Sequence, residues 1–520
     1  MDGRARMRSA ARIAIVFLVF AAGCSSNRGG GESGTVNFLI ESMPPTLDPR
    51  IATDAVSQHV YGLIFNSLLA HDAQMNIIPD LAERWELRDP LTYVFHLRQN
   101  VKFHDGRALT SADVKFTFDS ILDGTVKTAK RGAFRAVDSI EAPDEWTIVF
   151  HLREPYASFL WNLTRPGVGI VPRGSGPEIA QHPIGTGPFE FVSETTDQEI
   201  VLGRNHDYFG GAGKSAAALG NVERIRFRIV PDAIVRALEL RKGSADVAIN
   251  SLSPDMVVTL AQERGIVADE QPGTTIQYIG FNLEDPILSH REVRQALAFA
   301  TDRATLIKYL LRGQARAATS LLPPNHWAFN PDVAQYDFDP ARAERLLDAA
   351  GYPRGAGGVR FHIEFKTSTE ESSRLISEAI ADEWKNVGVR VDLRPLEFAT
   401  FYADLQRGSF QLSTQRWVGG NNDPDIFELV FSSKKIPPNG SNRGRYRNPK
   451  LDALLDQARV EMDREKRKAL LGEIQSIVAE DEPYINLWYP DNVCVHRERL
   501  TGIVIPPAGD YDFIEGARLR

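Results

Sequence analysis

Residues 60–119 constrain this chain more than any other stretch. Tyr93, Phe95 and Leu97 alternate with Thr92, Val94, His96 and Arg98, the two-residue period of a strand. Val101 and Phe103 continue an alternation in a second short run, and Asp105-Gly106 follows. That dipeptide supplies the positive-φ positions of a tight turn. Thr110 stands three residues before Asp113, the spacing of a capping box. Behind it, Val114, Phe118, Ile121 and Leu122 share one helical face. Strand, turn and capped helix follow one another here, and nothing in the stretch has the look of an active site.

At 520 residues the chain is too long for one core, so two or three domains are expected. Its formal net charge of -8 argues against nucleic acid as a partner. Residues 1–23 read as an export signal: Arg4, Arg6, Arg8 and Arg12 precede an apolar run over 13–22 that is too short to span a bilayer. Residues 21–24 (AAGC) resemble a lipobox, which makes Cys24 the expected lipidation site, with Ala21 where Leu is commoner. Residues 24–34 then read as a flexible, glycine-rich tether. With Cys24 lipidated, the remaining Cys494 has no partner within the chain, so no disulfide is expected and a small buried role is.

The stretch over 60–119 resembles the family 5 solute-binding proteins, the extracytoplasmic peptide, nickel and oligosaccharide receptors of ABC importers. The likeness is carried by Leu68-Leu69, Pro79-Asp80-Leu81-Ala82, Trp85, residues 93–98 (YVFHLR), 101–106 (VKFHDG) and 110–114 (TSADV). Leu47-Asp48-Pro49 and residues 183–189 (PIGTGPF) extend it, and it runs from about residue 36 to residue 488. It implies an α/β chain of periplasmic-binding-protein type II fold, two lobes with an extra domain and a hinge around a ligand cleft. Lobe I is expected over 35–60, 189–280 and 484–520, the extra domain over 61–188, and lobe II over 281–483.

Local signals fill in this outline. Residues 35–40 read as the first strand, and residues 149–153 (VFHLR) echo 94–98 as a strand of the same sheet. Two glycines and two prolines make 183–189 a chain-reversing crossover, and Pro188 stands where a phosphate loop would need Gly-Lys. Residues 222–230 alternate as a half-buried strand, and 275–282 read as the strand that carries the chain to the second lobe. Ser289 with Glu292 predicts a capping box, Asp339-Pro340 a helix start, and 464–481 a further helix. Residues 484–488 are expected to return to the first lobe as a strand.

Catalytic signals are missing from the sequence. There is no His-Glu-x-x-His, Cys-x-x-Cys or Gly-x-Ser-x-Gly, and the eleven histidines are scattered. His96 and His104 read as scaffold, and Asp423 and Asp425 as turn or capping residues. The chain is therefore read as a receptor rather than an enzyme, with no cofactor and no metal site. Its partners are a peptide or other small solute and ABC permease subunits with their ATPases. It is placed in the periplasm or at the cell surface as a monomer held to the membrane by lipid alone.

The expected ligand contacts are Glu41 and Met43 in the loop after the first strand, Tyr278, and Trp417, Asn421, Asn422 and Asp423 around a strand end. Trp417 offers a large apolar face with one donor. In dipeptide receptors of the family an Asp close behind this tryptophan pairs with the ligand's ammonium. Counting from Trp417, that position falls at Gly419 or Gly420. Either Glu41 or Asp423 replaces it, or the ligand is not a free dipeptide. An oligosaccharide or chelated metal on the same scaffold, an extracytoplasmic hydrolase, and a surface protein without a small ligand are the competing readings.

Overall fold

The structure, a computed structural model, describes residues 34–164, 167–210, 219–418 and 423–520. Strand β1 (Thr35–Ile40) is followed by a hairpin, β2 (Leu69–His71) and β3 (Ile77–Pro79). Next come β4 (Ala82–Asp89), β5 (Thr92–Leu97), β6 (Val137–Asp144) and β7 (Thr147–Leu152). Strands β8 (Phe189–Thr195), β9 (Glu199–Arg204), β10 (Arg224–Ile229), β11 (Val247–Ile249) and β12 (Ile266–Pro272) come after these. The chain continues through β13 (Ile276–Phe281), β14 (Ala315–Ala317), β15 (Phe361–Ser368), β16 (Val389–Leu396) and β17 (Leu412–Trp417). Strand β18 (Tyr484–Arg497) and a short pair, β19 (Leu500–Thr501) and β20 (Arg518–Leu519), end it.

The large sheet has the order β16-β15-β17-β13-β18-β11-β1-β10-β9-β8, with β12 and β14 also paired to β18. Its two halves meet in β18. Residues Tyr484 to Trp488 of that strand pair with β13, whereas Asp491 to Arg497 pair with β11 and β12. A strand of this length reaches about 45 Å, enough to belong to both halves. The strand expected over 484–488 is longer, running to Arg497. Pro490 and Asp491 lie opposite partners in the ladder, Pro490 against Ala315 and Asp491 against Pro272.

The core is divided accordingly. One apolar cluster gathers Phe38, Phe227, Cys494 and Phe513 on the β1 side, and Cys494 is a buried free thiol. Others gather Phe365, Trp384 and Trp488, and Tyr278, Phe431 and Tyr489, on the β13 side. A further cluster, with Phe95, Phe118 and Phe150, lies under the separate four-stranded sheet β4-β5-β7-β6. The echoing segments are adjacent strands in that sheet, with Tyr93 opposite Phe150 and Val94 opposite Val149.

Helix starts follow the capping rules in most places. Asp113 accepts from the backbone N–H (2.8 Å) and hydroxyl (2.9 Å) of Thr110 at the start of Ser111–Leu122. Asp339 caps Pro340–Ala349 by accepting from Arg342 N at 2.8 Å. The box predicted at Ser289 is replaced by an extra turn. Asp285 accepts from the N–H groups of Ile287 and Leu288, Ser289 donates to the Pro286 carbonyl, and the helix Arg291–Phe299 starts behind His290.

The motifs over 60–119 and 183–189 meet in one buried polar network. Asp80 is fully buried and accepts from Asn66 Nδ2 at 2.8 and 3.1 Å. Asn66 Oδ1 in turn accepts from Thr186 Oγ1 at 3.1 Å. Gly185 and Gly187 let the crossover lie on the Ile64 and Leu63 carbonyls: an added Cβ would sit 2.0 Å from Ile64 O and 2.5 Å from Leu63 O. His104 joins the same crossover. Its Nδ1 accepts from Gly185 N at 3.3 Å, which places the proton on Nε2, facing the Gly187 carbonyl at 3.1 Å.

Two measurements check this network. Asn66→Ala removes the side-chain donor that holds the Asp80 carboxylate, and the expected loss is about 2–3 kcal/mol, read as a fall in melting temperature. Burial pushes the His104 pKa from 6.5 down to about 4, against the pull of the Gly187 carbonyl and Asp105. The unfolded chain therefore takes up this proton first, and stability falls as pH drops from about 6.5 through 4. His104→Gln is expected to flatten that part of the melting-temperature profile.

Candidate functional site

The side chains that converge on the end of β17 come from five segments. Along β17, Ser413 and Thr414 are buried, Gln415 and Trp417 are half-buried and Arg416 is exposed. Antiparallel pairing sets Ile276 opposite Trp417 and Tyr278 opposite Gln415. Tyr278 stacks between Tyr484 of β18, with centroids 4.3 Å apart, and the Trp417 indole at 6.5 Å. Its hydroxyl donates to Gln415 Oε1 at 3.1 Å.

The loop that follows residues 437–438 brings Arg443 over this stack. The guanidinium carbon is 5.3 Å from the Trp417 ring and 5.1 Å from the Tyr402 ring. Arg443 Nη1 donates to Gln415 Oε1 at 2.8 Å, and Nη2 to the Tyr402 hydroxyl at 3.3 Å. Tyr402 lies on the helix Phe398–Arg407, whose Phe398 and Tyr402 present stacked rings to solvent. Arg443 Nε and Trp417 Nε1 are both buried and have no hydrogen-bond partner among the described residues.

On the far side of residues 419–422 the chain is tied down again. Asp423 Oδ1 accepts from Ser158 Oγ at 2.6 Å and from Asp425 N at 2.8 Å. Arg467 Nη2 donates to Asp425 Oδ1 at 2.9 Å and to Ser158 Oγ at 2.8 Å. Burial beside the Asp423 carboxylate pushes the Asp425 pKa up, and Arg467 opposes the shift. Close by, Arg459 pairs with Glu154 at 2.6 Å and its carbonyl accepts from Ala157 N at 2.9 Å. Residues 154–158, next to the four-stranded sheet, are therefore docked against the β13 side of the molecule.

The sequence-predicted residues separate into groups. Trp417 and Tyr278 come together, but Tyr278 is fully buried and supports the indole from behind. Asp423 lies in the same loop, with one carboxylate oxygen engaged by Ser158. Glu41 is exposed just beyond β1, and Met43 packs partly buried against the core on the β1 side. Asn421, Asn422 and Cys24 lie outside the described residues. Arg443, Tyr402 and Ser158 were missed: each is a single polar or aromatic residue in a segment without a motif, and only folding brings them to β17.

A cavity of about 450 Å³ lies elsewhere, lined by Glu83, Arg98, Gln99, Val101 and Phe209, and includes none of the predicted ligand residues. Among the described residues no group of three or more His, Cys, Asp or Glu could hold a metal ion. No helix among them is long and apolar enough to cross a membrane.

Comparison with known proteins agrees with this architecture. The dipeptide-binding protein of Escherichia coli (strain K12) is 27% identical over 511 residues, covering 93% of this chain and 94% of the relative. Heme-binding protein A of Haemophilus influenzae is 29% identical over 515 residues, covering 93% and 92%. The periplasmic binding protein DppA from Helicobacter pylori, solved in complex with the peptide STSA, superposes with a TM-score of 0.77 at 27% identity. That match covers 93% of this chain and 98% of the other. The fold is thus the two-lobed type II periplasmic-binding-protein fold, and the chain is a substrate-binding protein of an ABC importer, a transport receptor and not an enzyme. The profile of the bacterial extracellular solute-binding proteins, family 5 (middle region), matches residues 76–437, and the chain belongs to that family.

Proposed function

We propose that this receptor captures peptides by closing two lobes around them and delivers them to its permease. The observation that carries the reading is the fixing of Trp417 and Asp423. Trp417 rests on the Tyr278–Tyr484 stack, and Asp423 is bonded to Ser158. An indole held in this way can present its face to an extended ligand. The likeness to the Escherichia coli dipeptide-binding protein and to Helicobacter pylori DppA, solved with a bound peptide, supports a peptide as the solute. The oligosaccharide alternative loses one of its two aromatic platforms, since Tyr278 is fully buried.

In this reading lobe I comprises residues 35–60, 189–280 and 484–520, the extra domain 61–188, and lobe II 281–483. The hinge lies where β18 passes from one half of the sheet to the other and where the chain enters β13 from β12. Glu41, Met43, Trp417, Asn421, Asn422 and Asp423 face the solute, with Tyr278 behind them. The receptor acts as a monomer, held to the membrane through lipid on Cys24.

Native mass spectrometry of the mature protein mixed with peptide and sugar pools tests the ligand class. A ladder of bound peptides is expected, weakened about tenfold or more by Trp417→Ala. Retention of a glycan or metal adduct alone would refute it. For the anchor, the mature N-terminus is expected to carry acyl mass at Cys24, and Cys24→Ala is expected to release the protein from the membrane fraction. A soluble, unmodified N-terminus in the unaltered protein would count against the lipid.

A further inference from the structure

Among the described residues, Arg443 is a buried cation without a counter-ion. It is only 9% exposed, yet its hydrogen-bond partners there are neutral, the Gln415 amide oxygen and the Tyr402 and Tyr278 hydroxyls. The rings of Tyr402 and Trp417 flank it, and Nε has no partner among the described residues. The other buried arginines are provided for. Arg50 pairs with Asp48, and Arg467 with Asp425. Arg236 donates to the carbonyls of Val230, Pro231 and Ser251, and Arg294 to those of Leu288, Ser289, Asp481 and Glu482. Taking a guanidinium out of water costs several kcal/mol unless an anion or a full set of acceptors replaces the water. Among the described residues no anion meets Arg443, and its acceptors do not reach Nε.

A second observation points the same way. Trp417 Nε1, on the ring that Arg443 overlies, is also a buried donor without a partner among the described residues. Two unpaired donors, one of them charged, require a group rich in acceptors. We infer that Arg443, with the Trp417 indole as second donor, is the receptor for a carboxylate carried by the captured solute. A carboxylate offers acceptors to both donors and neutralises the guanidinium, the charge-assisted pairing for which the arginine fork is shaped. Half-exposed Tyr402 forms the rim through which it enters. The inference rests on the capture function proposed above and names the chemistry that the captured solute must carry.

The experiment uses trialanine, its C-terminal amide, and the same amide with glutamate at the centre, with binding followed by calorimetry. Trialanine is expected to bind, and amidation to weaken binding about 100-fold. Recovery by the central glutamate would show that a side-chain carboxylate serves as well as the terminal one. Failure to recover would restrict the site to the terminal carboxylate. Arg443→Gln is expected to erase the difference between acid and amide, and Arg443→Lys to restore only part of it. Equal binding of acid and amide by the unaltered receptor overturns the inference and leaves peptide capture standing, and this comparison needs no variant to fold. Binding of succinate but no peptide, lost in Arg443→Gln, overturns peptide capture and upholds the carboxylate site. Binding of neither overturns both.

Discussion

Everything in this receptor hangs on the pairing of one strand with both halves of the sheet. Strand β18 supplies backbone donors and acceptors to β13 and β14 over its first half and to β11 and β12 over its second. Each half buries its own apolar clusters, so each has the means to remain ordered alone. What joins them is a run of backbone, not a shared core. Such a joint can bend at a few residues without exposing apolar surface, which is how two rigid bodies close on a ligand at small cost. Tyr484, under the Trp417 stack, and Cys494, in the core on the β1 side, sit on the same strand.

The scaffold was readable because its signals are local. The period of β5, the Asp113 cap and the Asp339 cap each need only neighbouring residues. The Gly185 and Gly187 positions show the next level. Their presence was visible, but their reason was not: the close approach of the Ile64 and Leu63 carbonyls exists only after folding. The same holds for Asp80. In the sequence it is part of a recognisable tetrapeptide, while in the structure it is a buried carboxylate whose side-chain bonds to Asn66, and through it to Thr186, fix the register of two distant segments. The misplaced cap at Ser289 and the truncated β18 fail for one reason. In both, a stronger partner won, the nearby Asp285 carboxylate in the first and the distant β12 and β14 ladders in the second.

The candidate site was readable only at its tryptophan. Trp417 stood out by family position and chemistry, whereas Tyr278, expected as a ligand contact, is fully buried and stacks behind the indole. A buried aromatic and an exposed one look alike in a strand when the sheet is covered on both faces, so burial could not be told from alternation. Arg443 left no local trace. Charged residues are common in loops, and the unusual property of this one is what it lacks.

That lack bears on the departure noted at Gly419 and Gly420. A site that keeps an acid behind its tryptophan is built around a cation on the ligand. Here the acid gives way to glycine in the sequence, Asp423 has an oxygen committed to Ser158, and the charge next to the indole is positive. An ammonium placed against Arg443 would meet like charge in a poorly hydrated setting, which is costlier there than in water. A carboxylate in the same place would meet two waiting donors. In the reading proposed above, the polarity beside Trp417 is therefore the reverse of that expected for a free amino terminus, and a bound peptide lies with its acidic end toward β17.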